Sequence, residues 1–302
     1  MHKASPILLT LVPLFYLLTA IVIAALIAYP VSQSLNADFG LARIINRITL
    51  GLLVLGIFPM RSWLGLSALE MGFTMRISSF ALQLIKGFVL GLIILGIVIF
   101  ILIALNVRIV LPALIDLPGK LSHELFASLR TGIIVAFLEE TLFRGLLFGA
   151  LLKYGSIRSA VLITAVFYAS LHFIHGRGVV VPEKIEWTSG ISMVPDALIE
   201  LFNLTNFDSF LALFFVSIFL TCTRLATKAG IGYCIGLHTG WVFILRLTKT
   251  FTAVSPNSDW SFLIGQYDGV IGYLVAGWLF IWSALFFYLY SKRNFEAPRI
   301  KQ

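Results

Sequence analysis

The chain reads as a succession of long apolar runs separated by short polar connections. The runs lie at roughly 7–30, 41–60, 80–106, 126–152, 157–175, 208–228, 230–248 and 268–291, and each is close to the about 20 residues that a membrane-crossing helix requires. The pattern predicts an all-α, polytopic membrane protein with about eight transmembrane helices. The first run comes after "MHKASP", is longer than the apolar region of a cleavable signal and lacks a small-x-small cleavage site. It is expected to be a retained first span. No solenoid repeat and no low-complexity tract interrupts the series, so residues 1–302 are expected to form a single integral membrane domain.

Composition agrees. Of 302 residues, 59% are hydrophobic and 12% charged, with a mean hydropathy of +0.99, far from the soluble globular average. The net charge is +8, but the basic residues are scattered between apolar runs instead of forming a block. Nucleic acid is thereby set aside as a partner, and the charge is read as bias at a bilayer surface. Cys222 and Cys234 fall in or beside apolar runs without CxxC spacing, which gives neither a disulfide framework nor a metal knot.

Counting Lys and Arg in the connections, twelve lie on the side of the N-terminus and nine on the other, which favours both termini in the cytoplasm. Short connections, few cysteines and a basic tail point to a bacterial inner membrane. The connection at about 176–207 is the longest interruption. It is expected to face outward, as a solvated loop or as a cover over an active site.

One apolar run contradicts its own chemistry. "VAFLEETLFRGLLFG", Val135–Gly149, carries Glu139, Glu140 and Arg144, each costing about 2.5–3.5 kcal/mol at mid-membrane unless paired or hydrated. Glu140 and Arg144, four positions apart, lie on one helical face and can neutralise each other. Glu139 lies about 140° around the helix from Arg144 and is the freer carboxylate. Two further polar groups sit at depth, His172 in "AVFYASLHFIHG" and His238 in "GYCIGLHTGWVF". A carboxylate and two imidazoles suffice to polarise a water and stabilise an oxyanion. His123 and His175 lie near segment ends, where a surface role is expected. A zinc site using one Glu and two His is the metal alternative, but HExxH is absent and no cofactor is expected. GxSxG, Walker and Rossmann glycine patterns are absent as well.

These residues resemble a known family. "EETLFR" is similar to the EExxxR signature of the CAAX protease and bacteriocin-processing (CPBP, or Abi) family of intramembrane glutamic endopeptidases. "YASLH", Tyr168 to His172, resembles its second motif, with Tyr where Phe is usual. "HTGWV", His238 to Val242, resembles its HxxxN motif except that Val242 replaces Asn. The resemblance covers roughly residues 122–248, which it implies are a four-helix catalytic core, leaving 1–121 as N-terminal spans and 249–302 as a last span and basic tail.

The resemblance implies that Glu139 is a general base activating water, that His172 helps hold that water, and that His238 donates to the oxyanion, with Glu140 and Arg144 shaping the site. It implies an endopeptidase acting on a membrane-associated protein or peptide: prenylated CAAX proteins in eukaryotic members, bacteriocin maturation, self-immunity or membrane-protein processing in bacterial ones. Loss of the Asn donor commonly costs about a hundredfold to a thousandfold in rate, with Thr239 or Trp241 as nearby substitutes. Two other readings stand beside this one. One is a weak or inactive binding or immunity protein of the same fold; the other is an ion-coupled transporter using the buried charges, although no inverted repeat supports it. Gly145, Gly149, Gly230, Gly232, Gly236 and Gly240 are expected to let helices approach closely. The oligomeric state is not encoded in any of these features.

Overall fold

In the computed structural model, residues 6–34, 40–73, 76–111, 118–174, 185–199, 203–226 and 230–292 are described, and most of them are helical. In chain order the elements are α1 (Pro6–Ser34), α2 (Leu41–Trp63), α3 (Ile77–Ala104), β1 (Arg108–Val110), α4 (Pro118–Glu140), a π-helix (Thr141–Leu147), α5 (Phe148–Tyr154), α6 (Ile157–Leu171), α7 (Ser189–Ile199), α8 (Phe207–Ala226), α9 (Ile231–Phe251), β2 (Thr252–Val254) and α10 (Tyr273–Lys292). The eight apolar runs coincide with α1, α2, α3, the α4–π–α5 series, α6, α8, α9 and α10.

Among the described residues, five helices are long and apolar enough to cross a membrane: α1 over Phe15–Ser34, α2, α3, α8 and α9. Helix α6 and Tyr273–Leu289 of α10 are apolar but shorter. The chain is an all-α polytopic integral membrane protein. Two features lie outside the pattern read from hydropathy. Helix α7 stands inside the long connection, and β1 pairs antiparallel with β2, Ile109 opposite Ala253.

The chain divides into two compact units, Met1–Met75 with Phe137–Phe207, and Arg76–Ala136 with Asp208–Gln302. In the first unit α1 and α2 form a hairpin whose core of Ala24, Ala25, Ala28, Leu41, Ile44 and Ile45 also takes in Met193 of α7. At the other end of α2, Tyr154 donates its hydroxyl to the Leu64 carbonyl at 2.8 Å and Lys153 donates to Gly65 O at 2.8 Å. Lys153 also pairs with Glu70 at 2.9 Å. Burial acts to raise the Glu70 carboxyl, but hydrogen bonds from Ser67 and the Lys153 ammonium outweigh it and hold the group below its ordinary 4.5. Helix α6 starts on a reciprocal cap, in which the Ser156 hydroxyl accepts from Ser159 N–H at 3.1 Å while Ser159 accepts from Ser156 N–H at 3.2 Å.

The second unit is built on α3 packed backbone-to-backbone against α9. A Cβ on Gly91 would lie 2.5 Å from Leu237 O, and one on Gly240 would lie 2.6 Å from Phe88 O. Only glycine fits at either position, and the small-xxx-small spacing of both helices sets the seam. Gly132 of α4 meets α9 in the same way, 2.9 Å from Thr239 O.

Beyond the seam, buried Arg108 ties β1 to β2 and to the chain near Gly269. It donates to Thr252 Oγ1 at 2.6 Å, Thr252 O at 2.9 Å and Gly269 O at 2.6 Å. Asp268 Oδ1 caps Val270 N–H at 2.9 Å and Ile271 N–H at 2.7 Å, and its other oxygen pairs with Lys249 at 2.9 Å. Burial lowers the Arg108 guanidinium from its ordinary value, and the Asp268 charge opposes that shift.

Candidate active site

The first unit brings four of the five candidate residues into one stretch of structure. Glu139 and Glu140 end α4, Arg144 lies in the π-helix, and His172 caps the C-terminus of α6. Thr141, the first residue of the π-helix, donates its hydroxyl to Phe137 O at 2.6 Å. Seven residues, Thr141–Leu147, form the π turn, a form that recurs at functional sites.

The pairing expected of an α-helix survives the change. With i→i+5 hydrogen bonding, a residue four positions on falls just short of a full turn instead of just past it, still on one face. Arg144 Nη1 donates to Glu140 Oε1 at 3.0 Å, and both side chains are 0% exposed. The guanidinium also lies over the Tyr168 ring, 4.5 Å from its centroid, a desolvated cation–π contact. Phe143 meets Tyr168 edge-on at 5.0 Å. Tyr168 was singled out from sequence only as a motif aromatic; its contact with the arginine had no signal beyond spacing along two separate helices.

Glu139 differs from its neighbour in burial. Its side chain is 24% exposed, and its Oε2 stands 3.9 Å from His172 Nε2, whose side chain is 20% exposed. That separation exceeds a direct hydrogen bond, and Oε2 itself has almost no exposed surface. His172 is oriented from both sides. Its Nδ1 lies 2.8 Å from Tyr168 O and its ring packs 4.5 Å from the Tyr168 ring. A carbonyl can only accept, so Nδ1 carries the proton, and in the neutral ring Nε2 presents a lone pair toward Glu139.

His238 belongs to the second unit. It lies mid-way along α9 with 6% exposure, between Gly236 and Gly240 of the α3 seam. Val242, one turn on, is half-buried. Of the two substitutes considered for the missing Asn, Thr239 directs its hydroxyl at Gly132 O at 3.5 Å, and Trp241 is buried with its ring 6.0 Å from Phe219. His123 on α4 is exposed beside Glu124 at 3.7 Å; His175 lies outside the described residues. Among the described residues no group of three or more His, Cys, Asp and Glu is placed to hold a metal ion. Both cysteines are buried and unpaired as disulfides.

Residues 121–244 match the family model described as type II CAAX prenyl endopeptidase, Rce1-like. The match contains Glu139, Glu140, Arg144, His172 and His238, and it names the family that the EExxxR and histidine motifs resemble. No curated protein and no solved structure gives a significant match. The matched segment, 124 of 302 residues, is similar to that family of endopeptidases.

Proposed function

We propose that the chain is an intramembrane endopeptidase in which Glu139 activates the attacking water. The observation that carries this reading is the pair formed by Glu139 and the proton-fixed His172, with a gap of 3.9 Å between carboxylate oxygen and Nε2. Glu139 takes a proton from the water as its oxygen attacks the scissile carbonyl, while His172 Nε2 accepts from the same water and orients it. His238 donates to the oxyanion of the tetrahedral intermediate. On collapse of that intermediate the C–N bond breaks, and the proton held by Glu139 passes to the leaving amine.

The Glu140–Arg144 pair is sealed from solvent and acts by position: it fixes the turn from which Glu139 projects and holds Tyr168 under His172. The mechanism uses no metal. The substrate proposed from the family description is a prenylated, membrane-anchored protein with a CAAX-type terminus. The protein is placed in a bacterial inner membrane with both termini cytoplasmic.

The test uses wild type and Glu139→Gln in proteoliposomes carrying a farnesylated CAAX-type reporter peptide. Cleavage by wild type and a fall of about a hundredfold or more in the variant are expected. Unchanged cleavage by Glu139→Gln sinks the glutamate assignment. A folded wild type that cleaves neither this reporter nor an unmodified membrane peptide favours the binding or immunity reading, for which Val242 in place of Asn is the motive. Activity should persist in strong chelator; loss restored by zinc alone would overturn the metal-free chemistry.

A further inference from the structure

Helix α7 presents three different faces, and each fits a different medium. At 100° per residue, Gly190 and Met193 fall in one sector, Ile191, Pro195 and Ile199 in a second, and Asp196 in a third, with Ser192 on the border between the second and the third, about 20° from Ile199. The first sector is buried on the α1–α2 hairpin: Met193 joins its core, and the Ala25 carbonyl leaves no space for a Cβ on Gly190. Every member of the other two sectors is exposed, and Ile199 is 66% exposed. A solvated surface helix would not keep an apolar sector apart from both its buried and its polar one.

The level at which α7 sits is marked independently. Its partners on α2 are Leu41, Ile44 and Ile45, which alternate with the exposed arginines Arg43 and Arg47, a position suited to lipid headgroups. Trp187, 62% exposed and just ahead of α7, stacks on Tyr29 of α1 at 5.1 Å, and such aromatics gather where chain and headgroups meet. At that level α1 shows Val22, Ile23, Leu26 and Ile27 outward, so the apolar sector of α7 lies at the depth of an exposed apolar surface. An apolar helix of 11 residues is too short to span and of a length found in interfacial segments.

We infer that α7 is an interfacial helix lying in the plane of the membrane, docked on α1–α2, with Ile191, Pro195 and Ile199 in the acyl region of the bilayer and Asp196 toward water. The long connection is therefore seated on lipid at this point. The helix also gives a depth scale for the first unit. Leu171, next to His172, lines an apolar cavity with Tyr16 and Leu17, about eight residues back along α1 from the α7 contact, which is about 12 Å at the α-helical rise. The imidazole consequently lies below the interface marked by α7, and a scissile bond must descend into the bilayer to reach it. The helix assignment itself does not depend on the peptidase reading.

The experiment places single nitroxide labels at Ile191→Cys, Ile199→Cys and Asp196→Cys in the full chain in liposomes, where Cys222 and Cys234 are buried, and compares relaxation by oxygen and by a polar nickel chelate. Labels at 191 and 199 should show an oxygen-to-nickel ratio several-fold above that at 196. Three water-like labels would return α7 to a solvated loop. Shielding of 191 and 199 from both relaxants would mean a protein partner covers that face, which overturns the lipid assignment. None of these readouts requires activity.

Discussion

Arg144 is the residue on which burial and charge press hardest, because its guanidinium has no exposed surface and sits between a carboxylate and an aromatic face. Removing one partner of a buried pair leaves the other charge uncompensated, at about 3–5 kcal/mol. Arg144→Ala is thus expected to lower the unfolding midpoint sharply in detergent or lipid. Replacing both partners by apolar groups of similar volume avoids that penalty, so Glu140→Leu with Arg144→Met should recover much of the stability. If the pair also shapes the site, activity will not return with it. Tyr168 acts through His172 and not on substrate. Tyr168→Phe keeps the ring between guanidinium and imidazole and should stay near wild type. Tyr168→Leu removes both ring contacts while leaving the backbone carbonyl, and a misplaced imidazole costs roughly a hundredfold. The loss should appear in kcat with KM little changed; a fall in folded protein with unchanged kcat would reduce Tyr168 to a packing residue.

At the scale of elements, the α3–α9 seam and the clasp at the end of α2 give opposite kinds of dependence. Gly240 faces Phe88 O at a distance that admits no Cβ, so Gly240→Val must push two backbones apart. A destabilisation of about 1–3 kcal/mol is expected from overpacking, and because His238 is two residues away the variant should lose activity beyond its loss of folded protein. The Glu70–Lys153 clasp responds instead to pH. Since the Glu70 carboxyl is held below its ordinary 4.5, its contribution is complete above that pH and is lost as pH falls through the lower folded value. The protection factors of amides in the 64–73 segment, which normalise for the slower intrinsic exchange in acid, should fall below pH 4.5 in wild type, and Glu70→Gln should flatten that dependence.

Much of this was legible in the sequence. The Glu140–Arg144 pair came from spacing, the helices from apolar run length, and the glycines of α9 from their i, i+4 recurrence. The π-helix was not legible, because no residue type or spacing marks the change from i→i+4 to i→i+5 bonding. Nor was α7, whose 11 residues mix three faces and give no single apolar stripe, and a pair of three-residue strands leaves no periodicity to read.

Over the whole molecule the question is which face of the membrane each end of the helices meets, and the first unit supplies two fixed markers. Helix α7 rests where α1 ends and α2 begins. The α5–α6 connection is bonded to Leu64 and Gly65, past the far end of α2. The 23 residues of α2 span about 34 Å, slightly more than a hydrocarbon core, so the two markers lie on opposite membrane faces. On the orientation proposed from the Lys and Arg bias, with the N-terminus and the α5–α6 connection inside, α7 lies outside. Asp196→Cys on the polar side of α7 should then react with a membrane-impermeant maleimide in intact cells, while Ser156→Cys, exposed at the start of α6, should react only after permeabilisation. The reverse pattern would invert the orientation yet leave the separation of the markers intact, whereas reaction of both in intact cells would break the claim that α2 crosses the membrane between them. The separation of the two markers also bears on the route to the proposed site. Helix α6 leaves the face opposite α7 at Ile157 and spends 15 residues, about 22 Å, before reaching His172, short of the about 30 Å of a full hydrocarbon core. Taken with the proposed placement of α7, the two depth measures, one from α7 and one along α6, put the imidazole within the bilayer and nearer the face that carries α7.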